Sequence, residues 1–183
     1  MKKVETGFEG LYILEPNVFE DDRGFFMESY NKKELKSLGI DYAFIQDNHS
    51  SSSYGVIRGL HFQNPPFAQT KLIRVLFGKI LDIVVDIRKS SPNYGKAFSI
   101  ELSSENKKQL LVPKGFAHGF ATLSETAEIL YKCDCYYNKA AEGGLIFNDP
   151  TLNINWGIGE NNVIVSEKDK LLSPFEGFKS DFE

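Results

Sequence analysis

The chain has 183 residues, 42% hydrophobic and 13% aromatic, enough for one domain with a sizeable core. A formal charge of −4 and a pI near 5.5 exclude the broad cationic surface that nucleic-acid binding needs, while leaving room for a small anionic ligand held by a few local cations. The opening MKKVETGFEG has no apolar segment behind its lysines, and no later stretch approaches the roughly 20 apolar residues of a membrane span, so a soluble, cytoplasmic protein is expected.

In chain order, the first expected element is a short helix over Lys32 to Leu38, with Asn31 as its cap and Gly39 as its stop. Lys71 to Arg88, KLIRVLFGKILDIVVDIR, is rich in β-branched and aromatic residues and is broken at Gly78-Lys79, which reads as two strands joined in a hairpin. The same texture returns at Ala97 to Leu102, Lys108 to Val112, Phe116 to Leu123 and Ala127 to Tyr137, with turn-forming stretches between them. A last helical turn is expected at Glu167 to Leu171. Many short strands, scarce helix, no repeat and no linker predict a single all-β domain over residues 1–183, of jelly-roll type with a few short helices. Cys133 and Cys135 alternate along the last strand and should leave the same face of it. Neighbours that close seldom meet disulfide geometry, so two free thiols in a reducing compartment are expected.

Only His49, His61 and His118 are available for imidazole chemistry. His61 lies in Arg58-Gly59-Leu60-His61-Phe62-Gln63, where strand alternation puts His61 and Gln63 on one face and Leu60 and Phe62 on the other. Gly55 to His61 has the spacing G-x5-H, and Pro113, Gly115 and His118 have the spacing P-x-G-x2-H. These segments resemble the paired motifs with which cupins gather a metal inside a jelly roll. The cupin pattern continues with a second His and a Glu, but here Gln63 takes the first place and Phe67 and Ala68 fill the second. With two of four ligands missing, neither a metal nor another cofactor is expected. His61 is then either a structural hydrogen-bonding residue or an acid/base catalyst, and spacing alone does not choose.

DDRGFFMESY (Asp21 to Tyr30), FIQDNHS (Phe44 to Ser50), IRGLHFQ (Ile57 to Gln63), VDIRKSSPNYG (Val85 to Gly95), PKGFAHGF (Pro113 to Phe120), LYKCDCYY (Leu130 to Tyr137), FNDP (Phe147 to Pro150) and SEKD (Ser166 to Asp169) stand in order over nearly the whole chain. Together they resemble the dTDP-4-dehydrorhamnose 3,5-epimerase family. That resemblance implies a deoxythymidine-diphospho-sugar substrate with a ketone at C4 and inversion at C3 and C5 through an enolate. It further implies a homodimer in which strands near the N-terminus cross to the partner.

By the same resemblance His61 is the general base, Asp169 the carboxylate that orients it, Tyr131 the proton donor on the opposite face and Lys71 the cation at the enolate oxygen. Arg23, Arg58 and Lys168 are implied at the diphosphate or its neighbours, Gln46, Asp47, Asn48 and Glu28 at the nucleotide, and Tyr137 as the stacking residue for thymine. His118 and Glu142 match sugar-side or accessory positions. Two other readings stay open: a relative that epimerises only C3 or only C5, and a non-catalytic sugar-binding jelly roll. The latter predicts loss of at least one of His61, Tyr131, Lys71 and Asp169, and all four are present.

Overall fold

The computed structural model describes all residues 1–183. The chain opens with β1 (Lys2–Glu5), β2 (Tyr12–Glu15), β3 (Val18–Asp21) and β4 (Gly24–Met27), followed by helix α1 (Lys32–Ser37). The main body comprises β5 (Gln46–Ser53), β6 (Ile57–Gln63), β7 (Lys71–Phe77), β8 (Lys79–Asp86), β9 (Ala97–Ser103), β10 (Gln109–Val112), β11 (Phe116–Thr122) and β12 (Thr126–Cys133). A short β13 (Glu142–Gly144) and helix α2 (Glu167–Lys170) complete it. A six-stranded sheet runs β1-β2-β10-β7-β12-β5 and a five-stranded sheet runs β13-β6-β11-β8-β9, while β3 and β4 form a separate ribbon. The architecture is an all-β, cupin-like jelly roll.

Alternation along the strands sorts the apolar residues into layers. Ile73, Val75, Ile80, Val84, Phe120 and Ile129 come from both sheets and fill the space between them. The outward residues Leu60, Phe62, Ile83 and Val85 of the five-stranded sheet are covered by Leu145, Leu152, Trp156 and Phe182 of the C-terminal segment. On the far side, α1 lays Leu35 against Leu14, Leu72 and Leu111. Each large apolar side chain so buried contributes about 1.5–3 kcal/mol relative to exposure.

Both expected helices form, and each is capped at its N-terminus. The Asn31 side chain accepts from the N–H groups of Lys33 and Glu34, and Gly39 stops α1 with φ +81°. Ser166 caps α2 by accepting from the Asp169 N–H at 3.1 Å.

The hairpin expected at Gly78 does not form. β7 pairs with β10 and β12, whereas β8 pairs with β9 and β11, so the chain passes from one sheet to the other at this point. Gly78 makes the corner possible: it adopts φ +69°, and a Cβ there would stand 2.1 Å from the Thr126 carbonyl oxygen. Neighbouring loops take up the corner's polar groups, with Lys79 N–H donating to Ser124 Oγ at 2.8 Å and Ser104 N–H donating to the Gly78 carbonyl at 3.0 Å. The last long strand is also shorter than Ala127 to Tyr137. It ends at Cys133, which is buried, and Cys135 lies beyond it and is only half-buried, so the two free thiols do not share one strand face.

Candidate active site

Between the sheets, and open at one end, lies a cavity in two lobes. The larger, of about 500 Å³, is bordered by Arg58, His118, Lys168 and Asp169, and the smaller, of about 150 Å³, by Gln46, Asn48, Gln63, Tyr137 and Glu142. His61, Lys71 and Tyr131 line both. The larger lobe alone is within the size range of small-molecule sites.

His61 owes its place to an irregularity. β6 and β11 pair His61 with His118 and Arg58 with Phe120, with a shift in register between the two pairs. The shift lets Arg58 and His61, three residues apart, both border the cavity while Leu60 and Phe62 stay in the outer core. Gly59 and Gly119 face each other at the shift, and a Cβ on Gly59 would come within 2.6 Å of the Gly119 Cα. Freed by the bulge, the Gly59 N–H donates to Asp169 Oδ2 at 3.2 Å. The other oxygen, Oδ1, sits 2.8 Å from His61 Nε2. Asp169 is therefore buried and doubly bonded, and one nitrogen of His61 is left for the cavity. Burial pushes the His61 imidazole below its ordinary value of 6.5, while Asp169 acts in the opposite sense by favouring the imidazolium.

Lys71 and Tyr131 reach the cavity from the six-stranded sheet, across from His61. Burial lowers the Lys71 ammonium below 10.5, opposed through space by Cys133, Asp82 and Glu142. No side chain hydrogen-bonds that ammonium, so it remains available to a ligand oxygen. Burial moves the Tyr131 phenol upward, which keeps it a proton carrier at neutral pH. Cys133, cross-strand from Lys71, is pushed up to about 11 by burial and stays a neutral thiol.

At the mouth, Lys168 Nζ contacts Glu142 Oε1 at 2.6 Å and the Tyr137 hydroxyl donates to Glu142 Oε2 at 3.2 Å, so one chain of contacts spans the two lobes. Lys168 holds the Glu142 carboxyl below its usual range, and Glu142 in turn raises Lys168. Arg58 donates from Nε to Ser52 Oγ at 3.0 Å and from Nη2 to the Ser51 carbonyl at 3.2 Å. His118 Nε2 lies 3.0 Å from both oxygens of the fully buried Asp82.

Most residues singled out in the sequence converge here, but three do not. Asp47 lies on β5 between Gln46 and Asn48, so alternation turns it to the outer face, where it pairs with Lys132 at 3.0 Å. Arg23, on the β3–β4 ribbon, is exposed and engages Asp21. Glu28 accepts from Asn31 Nδ2 at 3.2 Å and borders a separate groove beside α1. Two residues went unnoticed. Asp82 is an acid in the apolar run KILDIVVD at inward spacing, a signal that was readable, whereas Gln69, whose Nε2 donates to the Cys135 carbonyl at 2.7 Å, left none.

Gln63, at the second cupin-ligand position, spends its amide on backbone partners, and nowhere do three His, Cys, Asp or Glu side chains gather in a metal-binding group. A jelly roll with an Asp-braced His facing a Tyr, and beside them a Lys whose ammonium makes no hydrogen bond, has the makings of a proton-transfer enzyme acting next to a carbonyl. Residues 5–177 match the family model for dTDP-4-dehydrorhamnose 3,5-epimerase, and the chain belongs to that family. It is 48% identical over 170 residues to the dTDP-4-dehydrorhamnose 3,5-epimerase of Shigella flexneri, covering 92% of this chain and 93% of that one. The crystal structure of dTDP-4-dehydrorhamnose 3,5-epimerase from Elizabethkingia anophelis superposes with a TM-score of 0.92 at 52% identity, over 97% of each chain. The dTDP-6-deoxy-D-glucose-3,5-epimerase of Legionella pneumophila, solved with dTDP-4-keto-L-rhamnose, does so with a TM-score of 0.92 at 43% identity, covering 97% of this chain and 94% of that one.

Proposed function

We propose that this cavity converts dTDP-4-dehydro-6-deoxy-D-glucose into dTDP-4-dehydro-L-rhamnose by inverting C5 and C3 through enolates. The observation that carries the mechanism is that His61 and Tyr131 come from opposing sheets and line the same two lobes. A sugar ring between them presents one face to each.

His61, neutral because burial depresses its protonation, takes the proton from the carbon next to the C4 ketone. The electron pair moves onto the ketone oxygen, where the Lys71 ammonium stabilises the developing charge more strongly than it does the neutral carbonyl. Asp169 accepts from the imidazolium that forms and holds the ring in place. Tyr131 then gives its phenolic proton to the same carbon from the opposite face, and the enolate collapses back to the ketone with inverted configuration. Exchange with solvent resets His61 and Tyr131 before the second carbon reacts. No step uses a metal or a redox cofactor.

For binding, Arg58 and Lys168 supply cations to the diphosphate, Gln46 and Asn48 supply amides to the nucleotide, Tyr137 stacks on the thymine ring, and His118 and Glu142 border the sugar. Arg23 and Glu28 serve the cavity of a second copy in a homodimer. The ribbon that carries Arg23 supports this reading, because it exposes Phe19, Phe25 and Phe26, an apolar patch of the kind that marks a contact surface. Asp47 is left outside the binding set by its orientation. Residues 1–183 act as one folding unit, and the site of action is the cytoplasm. No helix is long and apolar enough to cross a membrane.

The direct test is incubation of the wild-type protein with dTDP-4-keto-6-deoxyglucose in deuterated water. Deuterium at both C3 and C5 of an L-configured product is the expected result. Label and inversion at one carbon only would make the protein a single-centre epimerase, and no label would defeat the functional reading.

A further inference from the structure

We infer that Gln63 is a positioning residue for the nucleotide end of the site, acting through Tyr137 and Glu142. The nature of the ligand rests on the functional reading above. Gln63 is only 5% exposed, yet its amide makes three contacts that leave no polar atom unpaired. Nε2 donates to the Phe67 carbonyl at 2.6 Å and to the Tyr136 carbonyl at 3.3 Å, and Oε1 accepts from the Asn138 N–H at 2.7 Å.

Those contacts tie together two segments that belong to no strand, one after β6 and one after β12. They grip the backbone on either side of Tyr137, whose own N–H donates to Gln46 Oε1 at 3.0 Å. The effect continues along the chain. Asn138 caps the turn Lys139–Ala141, which delivers Glu142 as the cross-strand partner of Gln63. The Tyr137 hydroxyl closes the circuit on Glu142. A ligand that stacks on Tyr137 therefore meets a face already ordered, and pays little entropy to arrange it.

Side-chain chemistry explains why this position is Gln. The clamp needs two donors and an acceptor on one planar group. Glutamate has no N–H, and imidazole offers a single atom in each direction. The residue that breaks the cupin ligand set has thus been given to loop architecture, on the same strand as His61 and one alternation further along the same face.

The experiment compares Gln63→Glu, which keeps the shape and loses both donors, with wild type. Expected are a dissociation constant for dTDP and a KM for the keto-sugar both raised roughly tenfold, with kcat changed less than about twofold. In a Tyr137→Ala background the same substitution should add clearly less than it does alone, because much of its effect runs through Tyr137 and the remainder through Glu142. Unchanged dTDP affinity in folded Gln63→Glu, a loss confined to kcat, or losses that multiply with Tyr137→Ala would each overturn the inference. Should the variant fail to fold, amide exchange in the wild type decides. A protected Asn138 N–H in the free protein supports the clamp, and rapid exchange there refutes it. Wild type that binds dTDP without epimerising would sink the functional reading and leave this one standing.

Discussion

His61 and His118 are cross-strand partners on β6 and β11, and each has an aspartate on Nε2, but their surroundings differ. The His61 side chain is 30% exposed against 6% for Asp169, whereas His118 is 9% exposed against 0% for Asp82. The first pair joins residues 108 apart in sequence and leaves a ring nitrogen facing both lobes of the cavity. The second is made within adjacent strands of one sheet and closes on itself, with His118 touching the cavity at its inner wall. Asp82 also acts through space on Lys71, helping the ammonium to keep its proton. The same two residue types thus make a working base where the ring stands open to solvent and ligand, and a structural and electrostatic brace where it is packed into the cavity wall.

Three substitutions or treatments put that contrast at risk, in falling order of effect. Asp169→Asn should lower kcat by on the order of 10²-fold, since the imidazolium loses its partner. The sign of the accompanying pH change follows from the two opposed causes. Burial lowers His61 and Asp169 raises it, so removing Asp169 should move the acid limb of kcat/KM further below 6.5. A limb that moves upward would mean that the carboxylate is not acting on His61. Asp82→Asn should instead show itself mainly in stability, with a loss of about 1–3 kcal/mol in urea unfolding for a buried hydrogen bond compromised, and a smaller change in kcat. If kcat collapsed while stability held, the second pair would be catalytic and the contrast wrong. Exhaustive chelation should change nothing, because Gln63, Phe67 and Ala68 stand where ligands are needed. Loss of activity restored by a divalent ion would reverse that.

Much of the fold was legible because its signals are local. Asn31 with Gly39 announces α1 by capping chemistry, and the apolar runs of β7, β8, β11 and β12 announce strands. What local texture does not carry is the partner of each strand. β7 and β8 share the core between the sheets but turn their other faces to different outer cores, Leu72 under α1 and Ile83 and Val85 under the C-terminal segment, so a corner at Gly78 reads like a hairpin. β5 escaped notice for the opposite reason: Gln46, Asn48, Ser50 and Ser52 face inward and charged or polar residues face out, so no apolar alternation marks it. The site was legible mostly through resemblance. From its own surroundings Asp169 is a charge in a polar segment, and its burial is explained by two partners on β6, the Gly59 N–H and His61, 110 and 108 residues away in sequence.

The central claim is that one base works on one face and one acid on the other, and hydrogen–deuterium exchange in the keto-sugar tests it most directly. His61→Asn and Tyr131→Phe are each incubated with dTDP-4-keto-6-deoxyglucose in deuterated water, and label and configuration are read at C3 and C5 by NMR. With His61 gone, neither carbon should acquire deuterium, because no other group takes the proton. With Tyr131 gone, inversion should fall by about 10²–10⁴-fold, while exchange with retained configuration persists on the His61 face. Label entering the His61→Asn reaction at either carbon, or near wild-type inversion by Tyr131→Phe, would contradict the account.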